Sequence, residues 1–289
     1  MEKNSSPKVC VTGGSGYIGS WLVKKLLKNG YTVHVTLRNL GDDSKVGLLK
    51  SLPNADAKLV LFQADIYNPH EFEAAIDGCD YVFHVAVSWQ HDPKSTLVIL
   101  STSHLFYACF CSISMEYTRA KTLAEKEALS YNEIDDAKLE VVTLACGLVG
   151  GETLLSSVPM SVQAILSQVT GNPFGYEALR YIEELLGSVP LVHIDDVCEA
   201  HVFAMEKPSM KGRFLCAVTS PTVREMANYY EENYSDIKID AKFKGDLEKG
   251  IACESGKLVD MGFEFKCDMK KIIGESLESG RRLGALSHQ

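Results

Sequence analysis

The chain has 289 residues, 46% hydrophobic and 23% charged, which excludes a disordered tail, a collagen-like fibre and a coiled coil. Against 38 acidic side chains stand 29 basic ones, and the formal charge of −9 argues against nucleic acid as the general partner. The nine cysteines include no Cys-x-x-Cys pair, and the opening MEKNSSPK lacks the apolar core of a signal peptide; both features indicate free thiols in a cytoplasmic protein. The eight histidines form neither a His-Glu-x-x-His nor a Cys/His cluster, so no metal centre is expected.

In chain order, Val9-Cys10-Val11-Thr12 reads as a first strand. Apolar residues at Trp21, Leu22, Leu26 and Leu27 predict a helix over 20–29, ended by Gly30 as a C′ residue. Strands follow at 31–37, 59–62 and 81–86, with a helix at 70–76 before the last of them. A run without Asp, Glu, Lys or Arg spans 96–115, about the length of a membrane span. Ser101, Thr102, Ser103 and His104 interrupt it, and its β-branched and aromatic content suits buried strands better. A helix is expected over 118–131, strands at 140–145 and 191–194, and a helix through 201–205 capped by Asp195 or Asp196. Helices at 223–233 and 269–283 complete the chain. Alternation of strands and helices implies parallel pairing with right-handed crossovers, hence a doubly wound α/β sheet of Rossmann type. We expect residues 1–150, with 186–206, to form the dinucleotide-binding part. Residues 151–289 then form mainly a smaller, interleaved mixed α/β substrate part.

Between the first strand and the first helix stands Gly13-Gly14-Ser15-Gly16-Tyr17-Ile18-Gly19. Glycine spacing alone is a weak signal; its position between strand and helix gives it meaning. Gly13 permits the tight turn, Gly16 the approach of a pyrophosphate, and Gly19 close packing of helix on strand. The second strand ends Val35-Thr36-Leu37-Arg38-Asn39, without the carboxylate that would take an NAD ribose. Arg38 offers a planar fork to a 2′-phosphate, with Lys45 near in sequence, so NADP(H) is the expected cofactor.

Tyr-x-x-x-Lys occurs twice, at Tyr117…Lys121 and Tyr234…Lys238. At helical spacing the two side chains share a face, and an ammonium there favours the phenolate, making the tyrosine a usable proton donor. Only the first pair opens a long predicted helix after the fourth strand; the second reads as a surface coincidence.

The stretch 11–22 resembles the opening of plant dihydroflavonol 4-reductases and relatives such as anthocyanidin, vestitone and cinnamoyl-CoA reductases, which are extended short-chain dehydrogenases/reductases. Asp65-Ile66, Val82-Phe83-His84-Val85-Ala86, Tyr117 to Glu125, Val192-His193-Ile194-Asp195-Asp196-Val197 and Gly212-Arg213-Phe214 extend the resemblance. It covers nearly all of the chain except about 88–116. The resemblance implies that Tyr117 protonates the substrate carbonyl, while Lys121 binds the nicotinamide ribose. Thr12, Gly13, Ser15, Gly16, Tyr17, Ile18 and Gly19 would cradle the cofactor, Asp65 and Ile66 flank the adenine, and Val85, Ala86 and Val87 line the cofactor. The loop that opens at Cys146, where relatives usually carry Pro, would hold the carboxamide.

Relatives place a crossover helix, a strand ending in the catalytic serine and a substrate loop between the positions of Ala86 and Tyr117. Here only the thirty residues 87–116 are available. A crossover takes a dozen or more residues and a strand five or six. Residues 105–110 as the strand make Ser112 or Ser114 the serine; residues 97–100 make it Ser101 or Ser103. The resemblance thus implies a reductase of a flavonoid-like phenolic carbonyl or enone, with a small-molecule partner. The short segment leaves open a catalytically impaired NADP-binding member, and the uncharged run a membrane-attached one.

Overall fold

A computed structural model describes residues 6–86, 114–134, 139–208, 210–253 and 255–286, with side chains from Thr122 onward in the second segment. These residues belong to two compact units. The first draws on Met1–Thr102, Ala120–Val141 and His201–Lys211, the second on Ser103–Arg119, Val142–Ala200 and Gly212–Gln289.

The first unit holds four parallel strands, β1 (Lys8–Thr12), β2 (Thr32–Leu37), β3 (Leu59–Gln63) and β4 (Tyr81–His84), in the order β3-β2-β1-β4. That is the first half of the doubly wound order. β1 and β2 are buried from their second residue on, as apolar strands covered on both faces must be. β4 is not: Tyr81 and Val82 are 42% and 43% exposed, and among the described residues β4 pairs only with β1.

Helix α1 (Tyr17–Lys28) buries Trp21, Leu22, Val23, Leu26 and Leu27, with Gly30 beyond its end at φ +89°. It starts three residues earlier than its apolar spacing predicts, because Tyr17, Ile18 and Gly19 are themselves buried in its first turn. Charge-rich α2 (Asp43–Lys50) and one-turn α3 (Ala55–Lys58) carry too little apolar periodicity to be read from sequence. The helix expected at 70–76 is a 3₁₀ turn (Pro69–Phe72) continued by α4 (Glu73–Ile76).

Helix α5 (Ser114–Ser130) follows. The second unit has two parallel pairs. β5 (Val142–Cys146) lies against β8 (Gly212–Cys216), and β6 (Leu148–Gly150) against β7 (Leu191–His193). The helices of this unit are α6 (Met160–Ile165), α7 (Ser167–Thr170), α8 (Pro173–Leu186), α10 (Val223–Asn233), α11 (Gly256–Asp260) and α12 (Met269–Arg282), together with the first part, to Ala200, of α9 (Ile194–Glu206). Leu148, Ile165, Leu179, Leu191, Met226 and Ile272 are central to its core.

The expected cap on α9 is corrected. The helix begins at Ile194, so Asp195 and Asp196 lie inside its first turn, and the Asp195 N–H donates to His193 Nδ1 (3.1 Å). The buried Asp196 carboxylate instead accepts the N–H groups of Lys266 and Cys267, both at 3.0 Å.

Among the described residues no helix is long and apolar enough to cross a membrane. Of the run 96–115, residues 96–113 lie outside the described part, and so do Val87, Ser101, Ser103, Ser112 and both strands suggested for that region. Ser114 opens α5 rather than ending a strand.

Candidate active site

The turn after β1 is shaped for close approach. Gly13 sits at φ +66°, and a Cβ there would lie 2.7 Å from Ala86 Cα. Its N–H donates to Thr36 Oγ1 (3.4 Å), and the Gly16 N–H closes the turn on the Gly13 carbonyl (3.0 Å). A Cβ at Gly19 would run into that same carbonyl, so only glycine lets α1 enter so near β1. Gly16 differs: it is exposed, and a Cβ would meet only Gly13 O at 3.3 Å. Gly16 is the N-cap of α1, with no capping side chain and no acidic residue in the first turn. The positive end of the helix dipole is therefore left to an anion, and the cradle fits a pyrophosphate. Ser15 is half-buried beside it, while Tyr17 and Ile18 are buried at the helix start.

Thr12 ends β1 in register with His84 of β4. Its hydroxyl accepts the Ala86 N–H (3.3 Å) and shares a 2.9 Å bond with His84 Nδ1. This link ties together the carboxyl ends of the two strands beside the glycine turn, with Val85 buried and Ala86 half-buried. His84 and Thr36 are supporting residues that the sequence reading did not single out. Their signal was register, since Thr12 lies opposite both of them.

Arg38 follows the last residue of β2, is exposed, and has no ion-pair partner among the described residues. Lys45 is differently placed. It lies in α2, 2.7 Å from the Oδ2 of Asp42, the N-cap of that helix. The hydrogen bond from Lys45 holds the Asp42 carboxyl below its ordinary value. Among the described residues Arg38 is thus left without an ion pair, whereas Lys45 has one.

Asp65 is half-buried just after β3, and Ile66 is buried. The turn is fixed by Glu71, whose carboxylate accepts the Asp65 N–H (2.7 Å), and by the Asp65 carboxylate, which accepts the Tyr67 N–H (3.0 Å).

Tyr117 and Lys121 both lie in α5, four residues apart and so on one face of its backbone; their side chains are outside the described part. The other pair is not helical. α10 ends at Asn233, which leaves Tyr234 at the C-cap and Lys238 beyond the helix.

Cys146 is the last residue of β5, not the first of the loop, and stands opposite Cys216 of β8. Both are fully buried, and the hydrogen bond that the Cys216 thiol donates to Cys146, with burial, pushes that thiol well above its ordinary value. The cysteine thus faces the sheet interior, and the backbone of Gly147 makes the step into β6 by donating to the Cys216 carbonyl (2.9 Å).

The NAD dependent epimerase/dehydratase family matches residues 9–103. A (2S)-flavan-3-ol-forming anthocyanidin reductase from Vitis vinifera is 31% identical, the match covering 96% of each chain. Dihydroflavonol 4-reductase from Callistephus chinensis is 30% identical over all of this chain and 90% of its own length. The crystal structure of vestitone reductase from alfalfa (Medicago sativa) superposes with a TM-score of 0.75 at 28% identity, covering 96% of this chain and 99% of that one. The match with the Vitis protein spans 330 aligned positions, 41 more than the 289 residues of this chain, so at least that many positions have no counterpart here. Residue pattern, parallel topology and similarity along nearly the whole length agree: the chain belongs to the anthocyanidin reductase and dihydroflavonol 4-reductase family of NAD(P)-dependent oxidoreductases, with the Rossmann-type fold of the extended short-chain dehydrogenases/reductases.

Proposed function

We propose that the chain is an NADPH-dependent reductase of a flavonoid-like phenolic carbonyl or enone. The observation that carries this reading is the open glycine cradle at the α1 N-terminus, with Arg38, exposed and without an ion pair among the described residues, at the end of β2. Residues 12–19 would hold the pyrophosphate, Arg38 the 2′-phosphate, and Asp65 and Ile66 the adenine edge. Val85, Ala86 and Val87 would line the cofactor, and the residues from Cys146 onward would hold its carboxamide. Bound there, the cofactor supplies a hydride. Tyr117 gives its phenolic proton to the substrate oxygen, and Lys121, on the same helix face, favours the phenolate left behind. Residues 151–289 supply mainly the substrate side. The seven described cysteines are free thiols, which supports a cytoplasmic setting.

A second reading, an impaired member that holds NADP but turns over slowly, is favoured by the 41 excess aligned positions and by β4. In the doubly wound order β4 is an interior strand, whereas among the described residues it pairs only with β1, and its Tyr81 and Val82 are exposed. Titration with NADPH and NADH, then turnover of a dihydroflavonol and an anthocyanidin, separates the readings. Tight NADPH binding with reduction supports the first, tight binding without it the second, and no NADPH preference defeats both.

A further inference from the structure

β6 and β7 are parallel, so the loop after Gly150 and the start of α9 after His193 leave from one carboxyl edge, where open α/β sheets hold their ligands. The loop is fastened to α12 at its root. The Gly151 N–H donates to Ser276 Oγ (2.9 Å), the Gly151 carbonyl accepts from Ser279 Oγ (3.3 Å), and Arg282 Nη2 donates to the Thr153 carbonyl (2.8 Å). Gly151 is buried at φ +109°, and a Cβ there would overlap the His193 imidazole.

That ring is held at both nitrogens. Nδ1 accepts the Asp195 N–H, which leaves the proton on Nε2, and Nε2 donates to Glu275 Oε2 (2.8 Å). Lys271, one turn earlier on α12, lies 3.8 Å from the other Glu275 oxygen. His193 is 1% exposed, so its orientation is set by these bonds rather than by water. Beyond the fastened root the loop carries Leu154, Leu155 and Val158, all half-buried and of the apolar kind that packs on an aromatic ring.

We propose that α12 is a clamp on the loop 152–158, and that Glu275, acting through His193 and Gly151, is a positioning residue for the phenolic substrate. The proposal rests on the reductase reading for the identity of the ligand. The adenosine and pyrophosphate contacts are assigned to residues 12–19, 38 and 65–66, so loosening this loop leaves that end of the cofactor untouched.

The test combines hydrogen exchange by mass spectrometry over 151–158 with titration of NADPH and of dihydroquercetin. It uses the full chain as wild type, Glu275→Ala, Glu275→Gln and Ser276→Ala. Glu275→Ala and Ser276→Ala should speed exchange of the loop and weaken dihydroquercetin binding roughly tenfold, with NADPH affinity within about twofold of wild type. Glu275→Gln keeps an acceptor for His193 Nε2 and should restore both. Unchanged loop exchange in Glu275→Ala overturns the clamp, and so does a parallel fall in both affinities. If the wild type binds no dihydroquercetin, the substrate reading fails while the exchange data still decide the clamp.

Discussion

At the scale of single residues, charge already satisfied distinguishes Arg38 from Lys45. Both are cations near the end of β2, but Lys45 is committed to Asp42 and Arg38 is not. Arg38→Ala should therefore weaken NADPH binding by about 1.5–3 kcal/mol, roughly ten- to hundredfold, with little change for NADH. Lys45→Ala should cost much less; equal losses from both variants in a fluorescence titration would refute the distinction. Tyr117→Phe removes the proposed proton and should lower turnover by about 10²–10⁴-fold with cofactor binding retained. Tyr234→Phe is the control and should be nearly silent, since Tyr234 caps α10 and shares no helix with Lys238.

At the scale of elements, caps and continuous apolar runs were readable, and short or charged helices were not. Gly30 ends α1 as its sequence position implied, whereas α2 and α3 escaped because few of their residues are buried. α9 shows how tertiary contact overrides a local signal: Asp196 has the chemistry of a cap, but its carboxylate is drawn to the backbone at 266 and 267. α10 keeps the local rule. Thr222 Oγ1 accepts the Glu225 N–H (3.0 Å) and the Glu225 carboxylate accepts the Thr222 N–H (2.7 Å), a complete capping box. Thr222→Ala should lower stability by about 1 kcal/mol in urea unfolding. A change near zero would mean that core packing of Met226 and Tyr230 alone holds this helix start.

At the scale of the molecule, buried thiols couple stability to alkaline pH. Burial pushes Cys10 from 9.0 up to about 12 and Cys267 up to about 11. Above pH 9 the unfolded chain releases protons that the native thiols keep, so stability is full below that pH and falls as pH rises towards 11–12. The Tm should drop steadily between pH 8.5 and 10.5, and less steeply in Cys10→Ala; a flat profile would contradict the burial of these thiols. The second whole-molecule expectation concerns β4. With Tyr81 and Val82 exposed and no described partner beyond β1, the chain should be less soluble and less active than a full-length relative. A chimera carrying a relative's helix, strand and serine between Ala86 and Tyr117 should raise both. If the chain already equals a full-length relative in solubility and turnover, the idea of a gap is wrong.

The sequence by itself determined the strand-glycine-helix start, the parallel pairing of the first four strands and the family, because those depend on local spacing and on contiguous apolar runs. It also marked the stretch after Ala86 as short, since a crossover, a strand and a substrate loop would have to share the thirty residues 87–116. Only the tertiary structure decided which charges are already spent, as with Lys45 on Asp42 and Asp196 on the backbone at 266 and 267. It alone turned Cys146 inward onto Cys216 and brought Glu275 to His193, 82 residues away along the chain. Such pairings follow from how strands and helices pack in three dimensions, and no periodicity along the chain encodes them.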